Sequence, residues 1–130
     1  MKKLILGVEI GGTKLQLAVG NLDGEILGTR QGSVDRKAGG EGIRRWLLDH
    51  IPAFIDSVEI ETDGRVEAIG CGFGGPINSH EGRILESIQI TGWENFPLQD
   101  WFEEHFDKPV QVANDSNAAT WGEYQKGFGK

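Results

Sequence analysis

The chain has 130 residues, 38% of them hydrophobic and 8% aromatic, a length that suits one globular domain burying roughly two-thirds of its unfolded surface. Thirteen basic against 20 acidic side chains leave a formal charge of −7, and no basic run is longer than two residues, which argues against a nucleic-acid partner. One cysteine excludes an intrachain disulfide and no apolar run approaches the roughly 18 residues that span a bilayer, so we expect a cytoplasmic protein without membrane contact.

The N-terminal part of the sequence predicts three strands joined by tight turns. Residues 3–10 (KLILGVEI) are apolar and partly β-branched, 14–21 (KLQLAVGN) alternate, and 24–34 (GEILGTRQGSV) follow the turn NLDG. This order is typical of an antiparallel meander.

The period of the apolar residues changes from Gly42 onwards. Steps of three and four residues predict a helix with one apolar face, which Pro52 should kink or divide and which TDGR at 62–65 should end. Residues 66–75 (VEAIGCGFGG) then predict a buried strand, and the following PINSHEGRILES predicts a loop with a short hairpin arm around Glu81-Gly82.

The C-terminal part predicts two helices with a strand between them. Pro97 opens a helix through PLQDWFEEHF, PVQVA at 109–113 is a strand, and NDSNAATWGEYQKG begins with cap-forming residues before a helix that ends at Gly127. Strands that alternate with helices after an initial meander predict an α/β domain whose mixed sheet carries helices on its faces.

The glycine pair in GVEIGGTK admits two interpretations. A two-residue connection of Gly11 and Gly12 is a common hairpin turn and needs no ligand. Alternatively the loop binds an anion, because its amides can point at a phosphate while Thr13 adds a hydroxyl, Lys14 a cation and Glu9 a carboxylate for a divalent ion. The pattern is not a P-loop, which needs lysine before serine or threonine and a helix after them.

Asn114 and Asp115 follow the strand PVQVA, and capping of a first helical turn explains most clusters of this kind. A carboxylate at the carboxyl end of a strand also lies where α/β sheets bind ligands, and there Asp115 would accept a proton from a hydroxyl nucleophile. The glycines at 70, 72 and 75 match a dinucleotide fingerprint, but no helix is predicted to open at the third of them. Among the four tryptophans, only Trp93 has no place on a predicted helix face.

Several stretches in the same order resemble the N-terminal lobe of the ROK family of bacterial repressors, open-reading-frame proteins and sugar kinases. They are GVEIGGTK, GCGFGGPIN, GW, and PVQVANDSN with WGEYQKGFG, and they extend from Leu4 to Gly129. The resemblance implies the fold of actin, hexokinase and the Hsp70 ATPase, in which two ribonuclease-H-like lobes close over ATP and substrate. Residues 1–130 would be a single N-terminal lobe, and the C-terminal lobe would be absent from this chain.

The resemblance also implies roles for individual residues. Asp115 would be the catalytic base, and Glu9 would be linked to Mg²⁺ where many members of the wider fold group have aspartate. The first phosphate loop for ATP would consist of Gly11, Gly12, Thr13 and Lys14. The sugar pocket would involve Gly74, Gly75, Pro76, Asn78, Asn114 and Asp115.

The segments FGGP and GWENFP look most like the glucokinase-like branch, which implies phosphorylation of a hexose, glucose first, by ATP. The family's second phosphate motif, adenosine segments and Cys/His zinc cluster would lie in the missing lobe, so we expect no zinc site and no kinase activity in this chain alone. The complete protein would be a homo-oligomer. The alternatives are a free-standing, non-catalytic sugar-binding or assembly module and a fragment of a ROK-type regulator. The start of the chain at the first strand, without a winged helix-turn-helix, favours the kinase.

Overall fold

The computed structural model describes residues 2–78, 80–85 and 90–114. Its elements are β1 (Lys2–Ile10), β2 (Lys14–Asn21), β3 (Ile26–Ser33), α1 (Gly39–Thr62), β4 (Gly64–Phe73), β5 (Ile77–Asn78), β6 (Arg83–Ile84), α2 (Leu98–Phe106) and β7 (Val110–Asn114). The helix predicted after the last strand lies outside the described residues.

Five of the strands form one mixed sheet in the order β3-β2-β1-β4-β7. Because β1 pairs antiparallel with β2, and β2 with β3, the predicted meander is confirmed. β1 and β4 are parallel, as are β4 and β7, so the chain crosses over through α1 and then through the segment that contains α2. The predicted α/β fold, a ribonuclease-H-like lobe with a mixed sheet, is therefore present.

The main hydrophobic core lies on one face of this sheet. On β1, Leu4, Leu6 and Val8 belong to a single cluster of buried side chains, whereas Ile5 is buried on the opposite face. Both helices contribute to the same cluster, α1 with Ile43, Leu47, Ile51, Phe54, Ile55 and Val58, and α2 with Leu98 and Phe102. The two helices thus cover the same face, as two right-handed crossovers in one direction require.

α1 starts earlier than predicted and is continuous through Pro52. It begins before Gly42, and it is not divided at Pro52, although proline removes one backbone hydrogen bond. Pro52 lies on the exposed side of the helix, while Ile51 and Phe54 beside it are buried, so packing against the sheet outweighs the local loss. The helix ends where predicted, at Asp63, which has a left-handed conformation with φ of 54°.

The predicted hairpin around Glu81-Gly82 is also present, because β5 and β6 pair antiparallel. It packs on the first turn of α2, where the Gln99 amide donates to the Gly82 carbonyl at 3.0 Å. Gly82 has φ of +66°, and a Cβ there would lie 2.3 Å from the Cβ of Gln99, so this contact requires glycine. Of the helices in the described residues, none is long and apolar enough to cross a membrane.

Candidate functional site

Three parallel strands end at the same level of the sheet. Ile10 at the end of β1 pairs with Phe73 at the end of β4, and Phe73 pairs with Asn114 at the end of β7. The loops after β1 and β4 therefore start side by side, next to Asn114, at the carboxyl edge, which is where open α/β sheets bind their ligands. The predicted site residues that the structure describes lie in or next to the loops after β1 and β4 or at the end of β7, except Asn78, which lies farther along the second loop.

The first loop connects β1 to β2 through Gly11, Gly12 and Thr13. The Gly11 amide donates to the Lys14 carbonyl at 3.1 Å, and a Cβ on Gly11 would lie 3.3 Å from the same carbonyl oxygen. Neither glycine has a positive φ, so close approach, and not a left-handed turn, explains Gly11. Across the described ranges, the amides of Gly12 and Thr13 donate to no protein acceptor. These two amides are therefore available to an anion at the edge of the sheet.

The second loop follows β4 and is bonded to both neighbouring strands. The Gly74 amide donates to the Ile10 carbonyl at 3.0 Å, and the side-chain amide of Asn114 donates through Nδ2 to the Gly75 carbonyl. Pro76, which follows, is exposed, and its carbonyl accepts from the Leu85 amide at 3.0 Å. These bonds bring the predicted sugar-facing loop and Asn114 together beside the first loop.

The side chain of Asn78, which the resemblance assigns to the sugar pocket, makes hydrogen bonds within its own turn. Its Oδ1 accepts from the amides of His80 at 3.1 Å and Glu81 at 3.3 Å, and its Nδ2 donates to Glu81 Oε2 at 2.9 Å. The carboxamide of Asn78 thus stabilises the hairpin turn between β5 and β6.

Glu9 lies one position before the end of β1, on the face of the sheet opposite the main core. It is half-buried and pairs with Gln16 on β2 and Gly72 on β4. Burial raises the pKa of the neighbouring Cys71 thiol, and the Glu9 carboxylate raises it further. Cys71 therefore stays protonated in the core and is not a nucleophile.

The profile of the ROK family matches residues 5–130, nearly the whole chain. The chain belongs to the ROK family. A glucokinase of Streptomyces coelicolor is 34% identical over 127 residues, which are 98% of this chain and 37% of that protein. The xylose repressor of Caldicellulosiruptor bescii is 27% identical over 126 residues, 97% of this chain and 31% of the repressor. Kinases and regulators of the family thus share this lobe.

A solved ROK family glucokinase from Streptomyces griseus, in complex with glucose and AMPPNP, superposes with a TM-score of 0.72 at 37% identity. The match covers 98% of this chain and 38% of that enzyme. The chain therefore spans little more than a third of the length of the relatives it matches, and its sheet is the actin- and hexokinase-like sheet of ROK sugar kinases.

Asp115, the predicted catalytic base, lies outside the described residues, directly after Asn114. Within residues 2–78, 80–85 and 90–114, no three His, Cys, Asp or Glu side chains form a group that could hold a metal ion. An open groove of about 560 Å³ lies at the other end of this ROK lobe, between the end of α1 and the start of β4, and Arg65 and Lys108 line it. That groove is remote from the carboxyl edge and includes none of the predicted site residues.

Sequence reasoning missed the surroundings of Trp93. The indole is fully buried and packs edge-to-face on Phe73, with 5.2 Å between ring centroids, and on Phe96, with 5.5 Å. The Arg44 guanidinium lies over the rings of Phe96 and Trp93, 4.1 Å from the centroid of Phe96 and 4.9 Å from that of Trp93. Burial lowers the pKa of Arg44, and Glu41 opposes this. The only sequence signal was an apolar tryptophan with no helical position to explain it.

Proposed function

We propose that this chain is the N-terminal lobe, residues 1–130, of a hexose kinase that transfers the γ-phosphate of ATP to a sugar hydroxyl, with glucose as substrate. The observation that carries the proposal is the meeting of the loops after β1 and β4 with Asn114 at one edge of the sheet. It is supported by similarity to a glucokinase whose structure contains glucose and AMPPNP. A second lobe would complete the cleft, so we expect this chain alone to be inactive and the complete protein to be a homo-oligomer.

The loop of Gly11, Gly12 and Thr13 is proposed to bind the polyphosphate of ATP. Its support is the pair of amides that have no acceptor among the described residues, together with the exposed position of Thr13 and Lys14. Amides that are already fixed in direction stabilise the charge of the transferring phosphoryl group without reorganising during the reaction. The Lys14 ammonium would add a positive charge on the same edge.

The sugar is proposed to lie between Asn114 and the loop at Gly75 and Pro76, with Asp115 beside it. Phosphoryl transfer needs alignment and charge stabilisation more than covalent catalysis. Asp115 would hold the sugar hydroxyl and accept its proton as the oxygen attacks the γ-phosphorus. Asn114, whose Nδ2 already donates to Gly75, would hydrogen-bond a neighbouring sugar hydroxyl and thereby fix the ring.

Glu9 fits Mg²⁺, because this ion is usually held by one or two carboxylates together with substrate phosphates and water. Its carboxylate is half-buried on the strand that leads into the proposed phosphate loop. When bound, Mg²⁺ would offset negative charge on the phosphates.

Asp115→Asn tests the proposal in the natural polypeptide that contains this chain. We expect loss of hexose phosphorylation with glucose affinity, measured by calorimetry, within about threefold of wild type, because asparagine keeps the size and one acceptor of the side chain. Phosphorylation at an undiminished rate would remove Asp115 from the mechanism. A panel of glucose, mannose and galactose would define the substrate, since hydroxyl contacts discriminate strongly between hexoses.

The similarity to the xylose repressor supports a second candidate, a regulator fragment or a non-catalytic sugar-binding module. The two proposals differ in nucleotide binding. A kinase lobe should bind a non-hydrolysable ATP analogue in the complete protein with sugar present, whereas a sugar sensor should bind sugar and ignore nucleotide. Sugar binding without nucleotide binding would favour this second candidate.

A further inference from the structure

The loop of residues 90–96 is anchored to the start of α1. The Gly40 amide donates to the Thr91 carbonyl at 2.7 Å, and Arg44, one turn later, donates through Nη1 to the Gly92 carbonyl at 3.1 Å. A Cβ added to Gly92 would lie 3.2 Å from the Gly40 nitrogen, so the two backbones are in close contact. This contact joins segments that are far apart in sequence.

Trp93 connects this loop to the end of β4. Its ring contacts both the Arg44 guanidinium and the ring of Phe73, the last residue of the strand. The next two residues are Gly74, bonded to β1, and Gly75, bonded to Asn114. A continuous series of contacts therefore connects the first turns of α1 with the loop that is proposed to face the sugar.

The indole of Trp93 has no accessible surface, so it is not a platform on which a ligand could stack. Its Nε1 is buried, and the structure provides no acceptor for it among the described residues. A buried donor without an acceptor destabilises the fold. The size of the indole allows it to contact Arg44 and Phe73 together.

We infer that Arg44 and Trp93 are positioning residues, which hold the loop of Gly74 and Gly75 in the conformation that binds the hexose. This inference rests on the proposed function. Neither residue belongs to the proposed phosphate loop, so their loss should weaken hexose binding and leave nucleotide binding unchanged.

The test uses Arg44→Ala and Arg44→Lys in the natural polypeptide that contains this chain, with Arg45→Ala as the matched control. Arg45 is the next residue of the same helix, but it is exposed and lies 3.8 Å from Glu41. Amide hydrogen exchange of peptides covering residues 70–78 reports the Gly74 amide directly. Loss of the cation–π contacts and the bond to Gly92 should speed that exchange about tenfold in Arg44→Ala.

The binding measurements separate positioning from general destabilisation. In Arg44→Ala the KM for hexose should rise about tenfold while the KM for ATP and the kcat stay within about twofold of wild type. Arg44→Lys, which keeps the charge but not the planar fork, should recover part of the hexose affinity. Arg45→Ala should match wild type in every measurement.

Two results would overturn the inference. One is exchange at residues 70–78 in Arg44→Ala that equals the exchange in Arg45→Ala. The other is an equal rise in the KM values for hexose and ATP, which would indicate a merely structural role. If the wild-type protein binds no hexose, the proposed function fails, while the exchange measurement still decides whether Arg44 holds the loop.

Discussion

Asn114→Asp tests how the site is assembled. The substitution replaces the Nδ2 donor by a carboxylate oxygen, which would face the Gly75 carbonyl as a second acceptor. Loss of one such hydrogen bond costs about 0.5–1.5 kcal/mol, and leaving the carbonyl unpaired costs about 1–3 kcal/mol when it is buried. Asn114 is exposed, so solvent limits the effect, and we expect about 1–2 kcal/mol, or a 5–30-fold weaker affinity for hexose.

The assay is calorimetric titration of glucose into the natural polypeptide that contains this chain. Gln111→Glu is the matched control, because it makes the same change from amide to carboxylate at an exposed position of the same strand. The control should bind glucose like wild type, and both variants should keep the wild-type melting temperature within about 4 °C. Glucose affinity of Asn114→Asp within twofold of the Gln111→Glu value would refute the role of this hydrogen bond.

Two further predictions concern stability. Gly82→Ala should lower the free energy of unfolding in urea by roughly 2–4 kcal/mol, because it adds a clash with Gln99 to the strain of a left-handed backbone. The control Gly24→Ala lies in an exposed turn with φ of 92° and should cost only the backbone strain of about 1–2 kcal/mol. Equal losses in the two variants would contradict the clash. Because burial raises the pKa of Cys71, the folded state keeps a proton that the unfolded thiol loses above about pH 8.5, so stability must fall as pH rises past that value. Between pH 8 and 9.5, the free energy of unfolding of wild type should fall by roughly 1 kcal/mol more than that of Cys71→Ala. An equal fall in the two proteins would disprove the effect.

Periodicity predicted most of this fold because the local patterns and the final packing agree. The alternation in KLQLAVGN and the three- and four-residue steps of α1 each place one apolar face against the same core. Of the two effects predicted for Pro52, a kink or a division of α1, division does not occur, because long-range packing holds the helix together. The hydrogen bond that proline removes lies on the exposed side of the helix.

Contacts between distant segments were not predictable in the same way. In the sequence, Arg44 is an ordinary polar residue of an amphipathic helix. Nothing near it in sequence indicates that the rings of Trp93 and Phe96 will lie against it. The resemblance assigned Asn78 to the sugar pocket, and it gave no sign that the side chain also accepts hydrogen bonds from the amides of its own turn. A motif predicts in which part of the fold a residue lies, but the hydrogen bonds that its side chain makes depend on the conformation of the local backbone.

The level at which the parallel strands end depends on an irregularity in β4. Between Leu4 and Ile5 the pairing shifts by one residue, so Glu67 has no partner on β1. Val66 and Ile69 both reach the main core although they are three residues apart, which strict alternation does not allow. The exposed Glu67 is thus the extra residue of a bulge.

This bulge fixes the geometry at the opposite end of the strand. With regular pairing from Leu4 onwards, Ile10 would lie beside Gly72, and Phe73 would take the place that Gly74 occupies. The amide that donates to the Ile10 carbonyl would then belong to Phe73, and Gly74 and Gly75 would each lie one position farther from the end of β1. Because most of β4 is buried on both faces, its sequence shows no alternation from which the shift could be predicted. The arrangement of the site therefore depends on a residue at the far end of the strand that no motif includes.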